Sequence, residues 1–304
     1  MIRSLHPNDL KALFSFLGKA PVNEARTRYS LNNEQEGCAT IITLLKEYLF
    51  DREKQHGSVY IDHGIIKGLI SIRCRSGHSA WEINRLLMNQ ANEDVCINLL
   101  EHSAAIAGDI GAEKLFLRLN SSNPLIDISR HAGFRHYLTE YCYCLERIPE
   151  ILPPKMPLTP RPKLSADEQE LFWLYNAVVP PKVRSIEGMT LQTWLQSRDR
   201  DISREIVFEN AESILGWLTI KLKGETSQLN IMAAEKADII DTLVNYSLAL
   251  LEGKRTVYWH VPEFQQCLRG IFEKQGFCYM AEYSCLAKQL TATVREQQLV
   301  PLQA

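Results

Sequence analysis

The chain repeats itself on either side of a proline segment, and this duplication constrains the fold more than any other feature. Six of its 13 prolines fall between Pro149 and Pro162. Proline fixes φ and offers no backbone donor, so neither a helix nor a central strand runs through this stretch. It reads as an extended, semi-rigid strap of about 3 Å per residue. The strap divides the 304 residues almost equally, into a first domain over 1–147, a linker over 148–163 and a second domain over 164–304.

The two sides match element by element. Lys67 to Arg75 lays over Leu215 to Lys223, and in both a glycine opens a strand of alternating apolar and polar residues. Trp81 to Met88 and Gln228 to Met232 follow as antiparallel hairpin partners. A helix comes next in each side. Asn92 is suited to cap the first, with Glu93 and Asp94 in its opening turn. The second spans Ala237 to Leu251, with Gly253 just past its end. Buried strands follow at Leu115 to Leu119 and Val257 to Val261, then short helices ending at Gly133-Phe134 and Gly276-Phe277. Tyr137 to Leu145 and Tyr279 to Leu286 close the two sides. This order predicts a mixed α/β domain present twice.

Composition excludes several functions. Thirty-four Lys plus Arg against 36 Asp plus Glu give a net charge of −2, so no bulk positive charge serves a nucleic-acid backbone. No apolar run approaches the roughly 20 residues that span a bilayer. Met1 to Asp9 lacks the apolar core of a signal peptide, so a cytoplasmic location is expected. Eight cysteines are scattered. Cys142 and Cys144 share a strand face, but no second close pair completes a zinc site, so the thiols read as buried and no metal is expected. The histidines share no metal spacing, and neither a Gly-x-Ser-x-Gly elbow nor a nucleotide phosphate loop is present. Tyr137, Tyr141 and Tyr143 read as one packed strand face.

The repeated order resembles the GCN5-related N-acetyltransferase (GNAT) superfamily over about residues 1 to 147 and 164 to 292. Ile2 to Leu13 looks like the family's first strand and helix, with Pro7 suited to a helix start. Ile271-Phe272-Glu273-Lys274-Gln275-Gly276-Phe277 is similar to the family's Leu-Tyr-Glu-Lys-x-Gly-Phe, and Ile128 to Phe134 is a looser counterpart. Leu174 to Pro180 and Val183 to Trp194 are similar to the second half of bacterial tandem members. The resemblance therefore implies two tandem GNAT-like domains, each a mixed, mostly antiparallel sheet flanked by helices.

It also implies acetyl-CoA or another acyl-CoA as cofactor and a small-molecule amine or metabolite as partner. A GNAT enzyme holds the cofactor where its fourth strand splays from its fifth, with pyrophosphate on the amides that open the next helix. The family's loop there is Gln/Arg-x-x-Gly-x-Gly/Ala, and neither side supplies it. Gln90-Ala91-Asn92-Glu93 puts Glu93 where the first glycine belongs, and Ala233 to Asp238 has none. Carboxylates at a helix start compensate its dipole and repel phosphate.

The position of the tyrosine acid holds Ser129 in one side and Phe272 in the other. The family's cofactor asparagine falls at Ser122 or Asn123, and at Gln265. Carried over, the catalytic candidates are Glu82 and Ser129. The cofactor candidates are Leu86, Leu87, Met88, Gln90, Ala91, Asn92 and Asn123. The cleft after Met88 is expected to be the better of the two. Acyl transfer to an amine is expected to be weak or lost, the alternative being a scaffold that binds a metabolite or a protein in the former cofactor cleft.

Overall fold

The computed structural model describes residues 1–19, 22–27, 54–89, 92–148, 158–199, 202–234, 237–251 and 256–290. The first half runs β1 (Ile2–Ser4), α1 (Leu10–Leu17), β2 (Gln55–Asp62), β3 (Ile65–Cys74) and β4 (Ala80–Met88). It continues with α2 (Glu93–Asp109), β5 (Lys114–Asn120), α3 (Leu125–His131) and β6 (Arg135–Glu146). The second half opens with β7 (Thr159–Pro162), three helices α4 (Glu168–Val178), α5 (Pro181–Glu187) and α6 (Leu191–Ser197), and β8 (Arg204–Glu209). Then come β9 (Ile214–Lys223), β10 (Thr226–Ala233), α7 (Ala237–Ala249), β11 (Thr256–Pro262), α8 (Gln266–Lys274) and β12 (Cys278–Gln289). Among the described residues no helix is long and apolar enough to cross a membrane.

The halves do not form separate sheets. All the strands among the described residues make one 12-stranded, mostly antiparallel sheet in the order β1-β2-β3-β4-β5-β12-β6-β11-β10-β9-β8-β7. Read from either edge inward, this order is the same succession of equivalent strands. The two closing strands are exchanged: β12 lies against β5, from Tyr283↔Asn120 to Gln289↔Lys114, while β6 lies against β11, from Thr256↔Glu146 to Pro262↔Glu140. Each half therefore completes its sheet with the other's last strand.

Local chemistry repeats with the strands. Gly68 and Gly216, the glycines that open β3 and β9, sit under the long helices. A Cβ on Gly68 would lie 2.8 Å from Leu99 Cδ1, and one on Gly216 would lie 3.1 Å from Leu243 Cδ1. Gly133 and Gly276 both take positive φ, 86° and 82°, turning the chain so that Phe134 and Phe277 are buried. Asn92 caps α2, its Oδ1 accepting from Val95 N at 3.1 Å. Glu93 and Asp94 stand exposed in that first turn. Gly253 and Cys38 lie outside the described residues.

A further match lies at the sheet's two edges. Arg3 grips Asp9 with two bonds, at 2.7 and 2.5 Å, and Asp9 accepts from His6 N at 2.8 Å. Arg161 grips Asp167 in the same way, at 2.7 and 2.9 Å, and Asp167 accepts from Leu164 N at 2.7 Å. The end of the expected linker is thus β7, the second half's own edge strand, paired with β8 from Thr159↔Glu209 to Pro162↔Ile206. Proline suits this position because an edge strand leaves donors unused.

The tyrosines of β6 depart from the sequence reading. A register irregularity between Cys285↔Leu138 and Leu286↔His136 falls at Tyr137 and breaks the two-residue period. Tyr137 packs with Phe116 and the helices α4 to α6, whereas Tyr143 packs in the separate core beneath α7 and α8.

Candidate functional site

Each half contains a V where two parallel strands part. β4 pairs β5 only from Ala80↔Lys114 to Glu82↔Phe116, and β10 pairs β11 only from Thr226↔Thr256 to Leu229↔Trp259. Beyond those points the facing edges separate and leave backbone groups that need partners.

In the first half the chain fills the V itself. Residues 22–27 lie between the parted strands. Asn23 Oδ1 accepts from Leu86 N at 2.9 Å, and its Nδ2 donates to Asn84 O at 3.3 Å. Glu24 N donates to Leu86 O at 2.9 Å, and Arg26 N donates to Arg118 O at 2.8 Å. Ala25 is fully buried. The segment thus takes the inner-edge backbone groups of β4 at Asn84 and Leu86.

The sequence candidates fall around this filled V. Leu86 has both backbone groups engaged by residues 23 and 24. Leu87 is buried in the core under α1 and faces Asn23 across an isolated bridge. Met88 and Asn123 line a shallow cleft of about 280 Å³, closed on one side by Glu24, whose carboxylate accepts from Asn123 Nδ2 at 2.6 Å. Asn92 is committed to its cap. Gln90 and Ala91 lie outside the described residues.

Both catalytic candidates are buried and bonded within the protein. Glu82 is buried and bonded to Arg73 at 2.7 Å, with Arg75 at 3.4 Å, because both faces of β4 are covered. Ser129 is 0% exposed, and its hydroxyl donates to Leu125 O at 2.7 Å within its own helix.

The second V is different. Beyond Leu229 no described segment is bonded into the gap, and the V opens onto a cavity of about 140 Å³. Its floor is Asn230, Ile231 and Met232 of β10 with His260 and Pro262 of β11. Tyr175, Trp194 and Trp217 form a continuous aromatic wall, with ring centroids 5.3 Å and 6.0 Å apart in sequence. The exchanged strand β6 contributes Leu138 and Glu140, so both halves build the site. Glu140 is 1% exposed and pairs with Arg118 at 2.8 Å.

First-half residues also latch the roof. Arg75 Nη1 donates to Ser197 O at 3.1 Å, and Ser76 N and Gly77 N donate to Arg198 O and Gln196 O at 3.1 and 3.0 Å. Gly77 is required here, because a Cβ would meet Gln196 Cα at 3.0 Å.

Several donors of residues lining this cavity have no hydrogen-bond partner among the described residues, among them the Tyr175 hydroxyl, the Trp217 indole N–H and the Nε of Arg75 and Arg198. Tyr175 is 2% exposed, and burial pushes its phenol well above its ordinary value, aided by the Glu187 carboxylate. It therefore remains a protonated donor at neutral pH. Phe272, at the family's acid position, is fully buried against Trp259 at a centroid distance of 4.6 Å and cannot donate a proton. Sequence reasoning missed this cavity, although Leu174 to Pro180 and Val183 to Trp194 marked much of its wall.

No family model and no curated protein matches the chain. Solved structures do match. A GCN5-related N-acetyltransferase from Sphaerobacter thermophilus aligns over 95% of this chain and 95% of its own, with a TM-score of 0.57 and 12% identity. A putative acetyltransferase from Pyrococcus horikoshii covers 96% and 90%, at 0.54 and 10%. A tandem GNAT protein from the clavulanic acid biosynthesis pathway, solved without acetyl-CoA, covers 95% and 98%, at 0.55 and 10%. The chain has the tandem GNAT fold. At these identities the likeness extends to the fold alone. Within the GNAT fold, the first V does not fit an acyl-CoA arm, because residues 22–27 hold its backbone groups. At the second V no described segment is bonded along the inner edge of β10 over 230–233, and the strand ends in the small Ala233 and Ala234, which leaves room for one.

Proposed function

We propose that this GNAT-fold protein binds an acyl-CoA and a small acceptor in its second-half cleft alone, with weak or no turnover. The observation that carries this reading is the contrast between the two Vs, one bonded shut by residues 22–27 and the other opening on a cavity. When bound, an acyl-CoA supplies a thioester carbonyl for attack by an amine. The chain's own part is to orient that arm along the free edge of β10 and to seat the acceptor beneath α4, α5 and α6. His260 and Glu140 are the titratable groups on the cavity floor, and Tyr175 is a fixed donor. Loss of a positioned general acid costs about 10²–10⁴-fold in rate, and the residue at that position here is Phe272.

Phe272 and the internally bonded Ser129 favour binding over catalysis. Calorimetric titration of the full chain with acetyl-CoA, paired with thiol release over a panel of amines, tests this. One site per chain, with turnover well below about 1 s⁻¹, is expected. Two equal sites, or fast turnover of common amines, would refute it.

A further inference from the structure

The second-half cavity also specifies the kind of acceptor, an inference that rests on the reading of that cleft as the working one. Its volume of about 140 Å³ is close to that of a cavity that holds benzene, so the occupant has about six to eight non-hydrogen atoms. Unlike an apolar void, this cavity presents buried donors. The Tyr175 hydroxyl and the Trp217 N–H each lack a partner among the described residues, and an unmet buried donor is costly. Indole N–H can only donate, so the ligand must bring an acceptor oxygen.

The opposite requirement comes from the charges and ring faces. Glu140, Glu187 and Asp199 line the cavity against the two guanidinium groups of Arg75 and Arg198. Both guanidiniums are already stacked on rings, Arg75 at 3.8 Å from the Phe116 centroid and Arg198 at 4.6 Å from that of Trp217. Arg198 also lies 5.5 Å from the Trp194 centroid, and the remaining aromatic surface, Tyr175 and Phe264, favours a cation, as do the carboxylates. A small molecule with an acceptor oxygen at one end and a cationic nitrogen at the other meets both demands. We propose that the cavity binds a free α-amino acid with a small side chain.

Binding is tested on the full chain by calorimetry and thermal shift with alanine, serine, tryptophan, propylamine and propionate, with and without acetyl-CoA. Alanine or serine should bind, and each single-charge analogue at least about 10-fold more weakly; tryptophan should not fit. Tyr175→Phe removes an unpartnered buried hydroxyl. The ligand-free variant should therefore melt at or above the parent temperature while its amino-acid affinity falls about 10-fold, a combination that a purely structural tyrosine would not give. Trp217→Phe should lower affinity similarly and provides the reading if Tyr175→Phe does not fold.

No amino-acid binding, equal binding of propylamine or propionate, or unchanged affinity in both variants would overturn the proposal. If acetyl-CoA still binds under those results, the cleft assignment stands and only the ligand class fails. If nothing binds, both fail.

Discussion

At the scale of single residues, the repeated Arg–Asp grips are the clearest link between sequence and stability. Asp9 and Asp167 have their carboxyls held below the usual range, first by the hydrogen bonds from Arg3 and Arg161 and further by a backbone N–H. A depressed folded pKa stabilises above the unfolded value of about 3.9, and that gain fades as pH falls through the folded value. Asp9→Asn with Asp167→Asn should destabilise the chain by about 1–3 kcal/mol per site at pH 7. Denaturant midpoints at pH 7 and pH 3 should show the difference from the parent shrinking on acidification. Ser129 gives a second test. Introducing the family's tyrosine there overfills a site with no exposure, so Ser129→Tyr should lower stability by about 1–3 kcal/mol and leave thiol release unchanged.

At the scale of elements, much was legible and the reasons are specific. The strands β3, β4, β9 and β10 alternate or carry long apolar runs, and α2 announces its start with Asn92, so their positions follow from local rules. By contrast, β2 begins Gln55-His56-Gly57-Ser58 and β8 is only six residues long, which leaves little periodicity to read. The three helices that roof the cavity depend on one tight passage. At Gly188, between α5 and α6, a Cβ would fall 2.6 Å from Thr193 C and Trp194 Cα, which are backbone atoms that cannot swing aside. Gly188→Ala should cost about 1–3 kcal/mol and weaken ligand response at the cavity, measurable as a lower Tm and a smaller ligand-induced shift. Gly270, by comparison, has open space around its Cα and should accept alanine.

At the scale of the whole molecule, the strand exchange was hidden. A strand's pattern records which faces are buried, not which neighbour it pairs with, so Tyr137 to Leu145 reads equally well beside β5 or β11. The cavity was hidden for a related reason, since its walls are drawn from Arg75 to Gln265 and meet only after the exchange. Because each half lacks its own last strand, residues 1–148 and 158–304 expressed separately should be unstable, with exposed edges, and should recover a cooperative transition only when combined.

The central claim is that one V is shut by the chain itself and the other receives ligand. Amide hydrogen exchange of the intact protein with saturating acetyl-CoA tests it most directly, since it locates binding on each strand edge. Slowed exchange at residues 230–234 and 260–265, with no change at 84–88 and 118–125, is the predicted result. Protection at 84–88, where residues 23 and 24 already hold β4, or no protection on either strand pair, would contradict it.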